Sequence, residues 1–180
     1  YGNRIDFVTI QTTGDATEFG DLLLGRYGNP AVSNGVRGIQ MGGNTGGNNT
    51  LKNIEFVNIQ SKGDAQDFGQ MISSVDDGGT LCDNTRGVCA TSASGADTIE
   101  FITMATFGNA TDFGNLSAGR RPRGCSNQTR GLFGGGANPM NNIIDFITIQ
   151  TTGNASDFGD LITPVQQLGA ISDIHGGTGD

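Results

Sequence analysis

One nine-residue phrase constrains this chain more than any other feature. It reads GDATEFGDL at 14–22, GDAQDFGQM at 63–71, GNATDFGNL at 108–116 and GNASDFGDL at 153–161. The likeness extends upstream, so that IDFVTIQTTGDATEFGDLL (5–23), IEFVNIQSKGDAQDFGQMI (54–72), IEFITMATFGNATDFGNLS (99–117) and IDFITIQTTGNASDFGDLI (144–162) are four copies of one element. The first phenylalanine recurs at Phe7, Phe56, Phe101 and Phe146, and a second follows twelve residues later at Phe19, Phe68, Phe113 and Phe158. Periods of 49, 45 and 45 residues between the first phenylalanines belong to stacked blades or solenoid turns.

Within each copy the leading segment alternates in the strand period. Ile5, Phe7 and Thr9 share one face, and Asp6, Val8 and Ile10 the other. Both faces carry apolar groups, so the strand needs a neighbour above and below, and Phe7, Phe56, Phe101 and Phe146 are expected at equivalent buried positions. The turn glycines Gly14, Gly63, Gly108 and Gly153 each precede an Asp or Asn, which is turn chemistry. A looser pattern between the copies, RGIQMGG (37–43), RGVCATS (86–92) and RGLFGGG (130–136), reads as a further strand running into a Gly-rich loop. With a short strand before it, each unit holds four strands, the arithmetic of a propeller blade.

The last residues, ISDIHGGTGD (171–180), supply the element that the first residues, YGNRIDF (1–7), lack. The expectation is an all-β, four-bladed propeller in one repeat domain. Its units are 1–36 plus 171–180, 37–85, 86–129 and 130–170, with the two termini closing one blade so that the N-terminal unit covers Ile171 and Ile174. The alternatives are a segment of a larger propeller or a β-solenoid. The chain opens on Tyr1 rather than Met, as a processed product or a section of a longer protein does.

The units, with RGLFGGG leading into IDFITIQTTGNASDFGDL, resemble the Kelch-like repeats of bacteriophage tail-fibre and other virion-associated proteins. The Tyr and Trp spacing of cellular Kelch repeats is missing. The resemblance implies a virion or extracellular β-propeller module that binds or builds, without an active site. Its implied partners are a glycan or protein receptor on a cell surface and other virion proteins. The alternatives are a purely structural spacer in a filament and a propeller hydrolase.

Composition bears on partners. A net charge of −8 disfavours nucleic acid, whose phosphates call for clustered Lys and Arg. No apolar run reaches the roughly 20 residues of a membrane helix, so membrane insertion is not expected. Cys82, Cys89 and Cys125 lack metal-site spacing and cannot all pair within one chain. No cofactor is implied.

Two carboxylate sets recur: Asp6, Glu55, Glu100 and Asp145 beside the first phenylalanine, and Glu18, Asp67, Asp112 and Asp157 before the second. Either set in a ring could face a central cation. The reading preferred over a metal ring is that they accept backbone hydrogen bonds or pair with Arg37, Arg86 and Arg130, with Ser172 standing where the fourth Arg would fall. His175 has no catalytic companion. Of five N-x-S/T sequons, Asn48, Asn109, Asn115, Asn127 and Asn154, those at Asn109 and Asn154 arise from the turn phrase itself.

Units differ most in GRYGNPAVSN (25–34), SVDDGGTLCDN (74–84), GRRPRGCSNQ (119–128) and TPVQQLG (163–169). Variable loops on a repeated scaffold carry recognition. The candidate recognition residues are therefore Tyr27, Asp76, Asp77, Arg121 and Arg123.

Overall fold

A computed structural model describes residues 1–91 and 96–172. The fold is all-β and built of antiparallel sheets. Strands β1 (Arg4–Phe7) and β2 (Thr17–Asp21) form a two-stranded sheet. A four-stranded meander follows from β3 (Ala31–Ser33), β4 (Arg37–Met41), β5 (Leu51–Asn58) and β6 (Gln66–Val75). The next comprises β7 (Gly79–Cys82), β8 (Arg86–Ala90), β9 (Thr98–Thr103) and β10 (Thr111–Asn115). The last comprises β11 (Arg121–Ser126), β12 (Arg130–Ala137), β13 (Ile143–Thr148) and β14 (Ser156–Asp160). The short strands β3, β7 and β11, grouped in the sequence with the unit before, pair with the strand that follows them. We number the sheets 1 to 4 in this order.

The recurring phrase makes both halves of each hairpin and the joint between sheets. Phe7–Phe19, Phe56–Phe68, Phe101–Phe113 and Phe146–Phe158 meet edge to face with centroids 6.1, 6.1, 6.0 and 6.2 Å apart. The turn then reaches back to the preceding sheet. Gly63 and Ala65 amides donate to the Phe19 and Asp21 carbonyls at 2.9 and 2.8 Å, and Asp64 Oδ1 accepts from the Asp21 amide at 2.9 Å. Gly108, Asn109 and Ala110 repeat this on Phe68 and Gln70, and Gly153, Asn154 and Ala155 on Phe113 and Asn115. A side chain at Gly20, Gly69 or Gly114 would collide with the carbonyl of the turn glycine docked on it, so glycine is required there.

Two expectations are corrected. Phe7, Phe56, Phe101 and Phe146 do occupy equivalent positions, but only Phe56 is buried and the other three are half-buried. Arg37, Arg86 and Arg130 do not pair with the recurring carboxylates. Their guanidinium groups lie over Phe56, Phe101 and Phe146 at 5.2, 4.4 and 4.7 Å from the ring centroids. Arg37 and Arg86 also donate to the Met104 and Ile149 carbonyls of the following sheet at 2.5 and 2.9 Å. The aromatic face is the nearer electron-rich surface at this register, and it leaves the cation in reach of solvent. In sheet 1 the cation comes from elsewhere: Lys62 Nζ lies 4.6 Å from the Phe7 centroid.

Before each of these arginines the chain turns on an Asx acceptor. Asn34, Asp83 and Asn127 each take hydrogen bonds from the amides two and three residues on, at 2.7–2.9 Å. Just before the turn, equivalent positions link neighbouring sheets: Cys82 donates to the Ser33 carbonyl at 3.4 Å, Ser126 to Cys82 at 2.7 Å and Ser172 to Ser126 at 2.6 Å. Ser172 therefore follows the Ser33–Cys82–Ser126 series rather than the arginine series. Ile171, expected to be covered by the N-terminal unit, stands 94% exposed. The expected closing strand, including Ile174 and His175, lies outside the described residues.

Phe56→Ala is expected to cost about 3–5 kcal/mol, as for a core phenylalanine, and the same change at Phe7, Phe101 or Phe146 distinctly less. Urea melts of the four variants check the order. A second prediction concerns pH. Burial pushes the Asp83 carboxyl up, but hydrogen bonds from Arg86, Gln150 and Thr85 outweigh it and hold the group below its ordinary 3.8. A carboxylate lowered by folding contributes stability above its unfolded-state value and loses it as pH falls through the folded one. Asp83→Asn keeps the acceptor that Asn34 and Asn127 use and abolishes the titration. The stability gap between wild type and variant is expected to hold steady from neutral pH down to 3.8 and to close below it, as read from urea melts across that range.

Candidate recognition site

The variable segments lie in the linkers that carry the chain from the last strand of one sheet to the first of the next, each linker taking in the adjoining strand ends, such as 72–75 of β6 and 121–124 of β11. Seven residues after the second phenylalanine stand Arg26, Val75, Arg120 and Val165, an Arg–Val alternation. Both arginines are buried. Arg26 forms an ion pair with Glu55 and donates to the Gly42 carbonyl at 2.7 Å. Arg120 reaches Asp145 at 2.8 Å and the Gly135 and Phe133 carbonyls at 2.9 and 3.1 Å. Val75 and Val165 instead offer carbonyls to the Gly43 and Gly136 amides at 2.7 and 2.9 Å.

These contacts explain three members of the first carboxylate set. Glu55, Glu100 and Asp145 are all buried and accept backbone amides of the preceding linker, from Leu23, from Ile72 and Ser73, and from Ser117, at 2.8–3.0 Å. Glu100 has Val75 where the other two have an arginine. Burial accordingly pushes its carboxyl above the ordinary range, against the pull of the Ile72 and Ser73 hydrogen bonds. The second set, Glu18, Asp67, Asp112 and Asp157, is exposed on β2, β6, β10 and β14, the edge strands away from where β3, β7 and β11 meet. It does not converge on a common centre.

Beyond the anchor the linkers come together. Nine residues after the second phenylalanine, Gly28, Asp77 and Gln167 all adopt positive φ, of 61°, 67° and 55°. The third linker is one residue shorter and has Pro122 there, a residue barred from that conformation. Two non-glycine residues in the left-handed region at equivalent places are held there by their surroundings, and such strain gathers at functional sites. The Asp77 amide donates to the Gly28 carbonyl at 2.7 Å. Arg123 then grips Asp77 with both arms of its guanidinium, Nη1 on the carbonyl and Nη2 on Oδ1, each at 2.7 Å.

Around this pair open two adjoining hollows. One, of about 410 Å3, takes its walls from all four linkers, among them Asn29, Asp77, Arg123 and Leu168. The other, of about 160 Å3, lies between Asp77, Arg121, Arg123, Asn138, Gln166 and Gln167. Its lining brings two guanidinium groups, one carboxylate and three amides, which suits a ligand rich in hydroxyl or carbonyl groups.

Of the candidate residues, Asp77, Arg121 and Arg123 meet at this mouth. Tyr27 and Asp76 form its flank. Tyr27, 40% exposed, packs at a tilt on Tyr1 with centroids 4.5 Å apart, and partial desolvation together with the neighbouring Tyr1 and Asp76 raises its phenol above the ordinary value. Asn44, passed over in the sequence as part of a Gly-rich loop, ties the flank together. It exchanges backbone hydrogen bonds with Tyr27 at 3.0 and 2.9 Å, and its side chain reaches Asp76 Oδ2 at 3.3 Å. An Asn-Thr pair between two glycine pairs was the available signal.

Burial raises the thiols of Cys82, Cys89 and Cys125 alike, away from the nucleophilic thiolate form. No protein-family model matches the chain, and no curated protein sequence matches it.

Arg120 tests the anchoring. Arg120→Ala leaves the buried Asp145 without its cation and is expected to destabilise by about 3–5 kcal/mol. Denaturant melts measure it.

Proposed function

We propose that the chain is a non-enzymatic module of the β-propeller type, belonging to a phage or related virion fibre and acting in surface recognition or attachment. The four sheets act as blades, with the N- and C-terminal segments sharing one. The reading rests on one observation above the others: the segments in which the repeats differ converge on a single polar mouth, while the segments in which they agree form the scaffold. A spacer has no need of a strained, charge-paired mouth with a different side chain in every linker. The resemblance to virion Kelch-like repeats supports the setting, and the mouth supports a glycan or protein receptor as partner.

The Asp77–Arg123 pair is partly exposed, with side chains 38% and 25% accessible, and a pair of that kind adds about 0–1 kcal/mol to stability. Arg123→Ala and Asp77→Asn are therefore expected to leave the melting temperature within a few degrees of wild type. Both are expected to abolish binding of the labelled chain to bacterial envelope polysaccharide or whole cells. Retention of full binding by both variants would overturn the recognition reading in favour of a spacer.

A further inference from the structure

Among the described residues, three joints between neighbouring sheets use one contact set, and the fourth is open. The turn of sheet 2 docks on β2, that of sheet 3 on β6 and that of sheet 4 on β10. The turn of sheet 1 has no such seat: at Gly20, Gly69 and Gly114 the carbonyl of a docked turn lies 2.2–2.3 Å from where a side chain would begin, whereas at the equivalent Gly159 nothing lies within 4 Å. Its counterpart surface is bare as well. Phe158 is 51% exposed where Phe68 and Phe113 are 3% and 2%, and on the sheet 1 side Ile10 is 91% exposed where Ile59, Met104 and Ile149 are 42%, 0% and 0%. Asp6 is exposed where Glu55, Glu100 and Asp145 are buried by the preceding linker.

Each bare group on one flank has its complement on the other. We propose that the open flank of sheet 4 is a docking surface for sheet 1 of the same chain. In that joint the Gly14 and Ala16 amides donate to the Phe158 and Asp160 carbonyls, and Asp15 accepts from the Asp160 amide. Asp6 accepts from the linker amides at Ile162 and Thr163, as Glu100 does from Ile72 and Ser73. Thr13 lies on the Phe146–Phe158 pair, as Phe107 lies on Phe56 and Phe68 at 5.0 and 5.7 Å.

The occupant is the chain's own sheet 1 because both partners already face one space. A cavity of about 430 Å3 is lined by Ile5 of β1 and by Ala170, Ile171 and Ser172, together with Val32 and Leu81 of the neighbouring sheets. Ser172 is tied to Ser126 there by the bond that ties each first strand to the one before. A following sheet of an open solenoid would lead these residues away from β1. The proposal rests on the ring reading of the fold.

The test is a cross-link in a Cys125→Ser background, which leaves only the two buried native thiols. Asp15→Cys with Asp160→Cys is compared with Asp64→Cys with Asp21→Cys, the same pair at a joint that is made. Under dilute mild oxidant the first pair is expected to cross-link within one chain as completely as the second. A monomer in which the control pair links and the Asp15–Asp160 pair does not would overturn the joint and leave the ring. Links between chains, with oligomers in sedimentation, would overturn both. As a second measurement, Thr13→Phe is expected to raise the melting temperature by a few degrees, from the ring contacts that Phe107 makes at its own joint. A fall would count against the joint.

Discussion

The close approach of two glycine-bearing segments between neighbouring sheets is the constraint on which the rest of the structure depends. Gly69 has a φ of 153° and carries the Gly108 carbonyl where a side chain would be, and the Gly108 backbone has the same φ. Few residues other than glycine adopt that conformation, and none with a side chain fits the contact. Once the two backbones meet, the amides of the turn saturate the carbonyls of the strand beneath, which would otherwise be an exposed edge. The second phenylalanine is sealed by the same contact, which is why Phe68 and Phe113 are buried and Phe158 is not. The nine-residue phrase is thus one half of a joint whose other half is the next copy of itself.

Much of this was legible in the sequence because it is local or repeated. The strand period of IDFVTI, the turn chemistry of TTGDA and the twelve-residue phenylalanine spacing each follow from one copy, and the number of sheets follows from counting copies. The partners of Arg37, Arg86 and Arg130 were not legible. Whether a guanidinium meets a carboxylate or a ring face depends on cross-strand register. Here Ile39 rather than Arg37 stands opposite Phe56, so that the arginine reaches the ring diagonally. Arg26 and Arg120 were hidden for another reason. In GRYG and GRRP they look like loop arginines, and only alignment on the second phenylalanine reveals that they share a position with Val75 and Val165. An arginine that alternates with valine is an arginine that is buried.

That alternation has an electrostatic consequence for the whole scaffold. Three buried carboxylates organise the linkers by accepting their amides, and two are neutralised by an arginine from the same linker. At Glu100 the valine leaves only hydrogen-bond donors, and burial lifts the carboxyl. Sheets 2 and 4 have paired glycines, Gly42–Gly43 and Gly135–Gly136, at the place where the arginine arrives, whereas sheet 3 has Thr91. The guanidinium needs the space and the bare carbonyls that glycine leaves, so the arginine and the glycine pair are found together.

The same anchoring explains why the linkers are free to differ. Each is pinned by its seventh residue in the scaffold, and three of the four are turned by a left-handed ninth residue. A change at the eighth or tenth place then has little leverage on the sheets, because the strain it introduces ends at a fixed point on either side. Those are the places of Tyr27, Asp76, Arg121 and Gln166, and of Asn29, Gly78 and Leu168, with Arg123 supplied by the shortened third linker. They bring aromatic, acidic, basic and amide groups to one mouth without two alike in the eighth position. A scaffold that fixes the direction of each linker while leaving its side chains open can change what it recognises without changing how it folds.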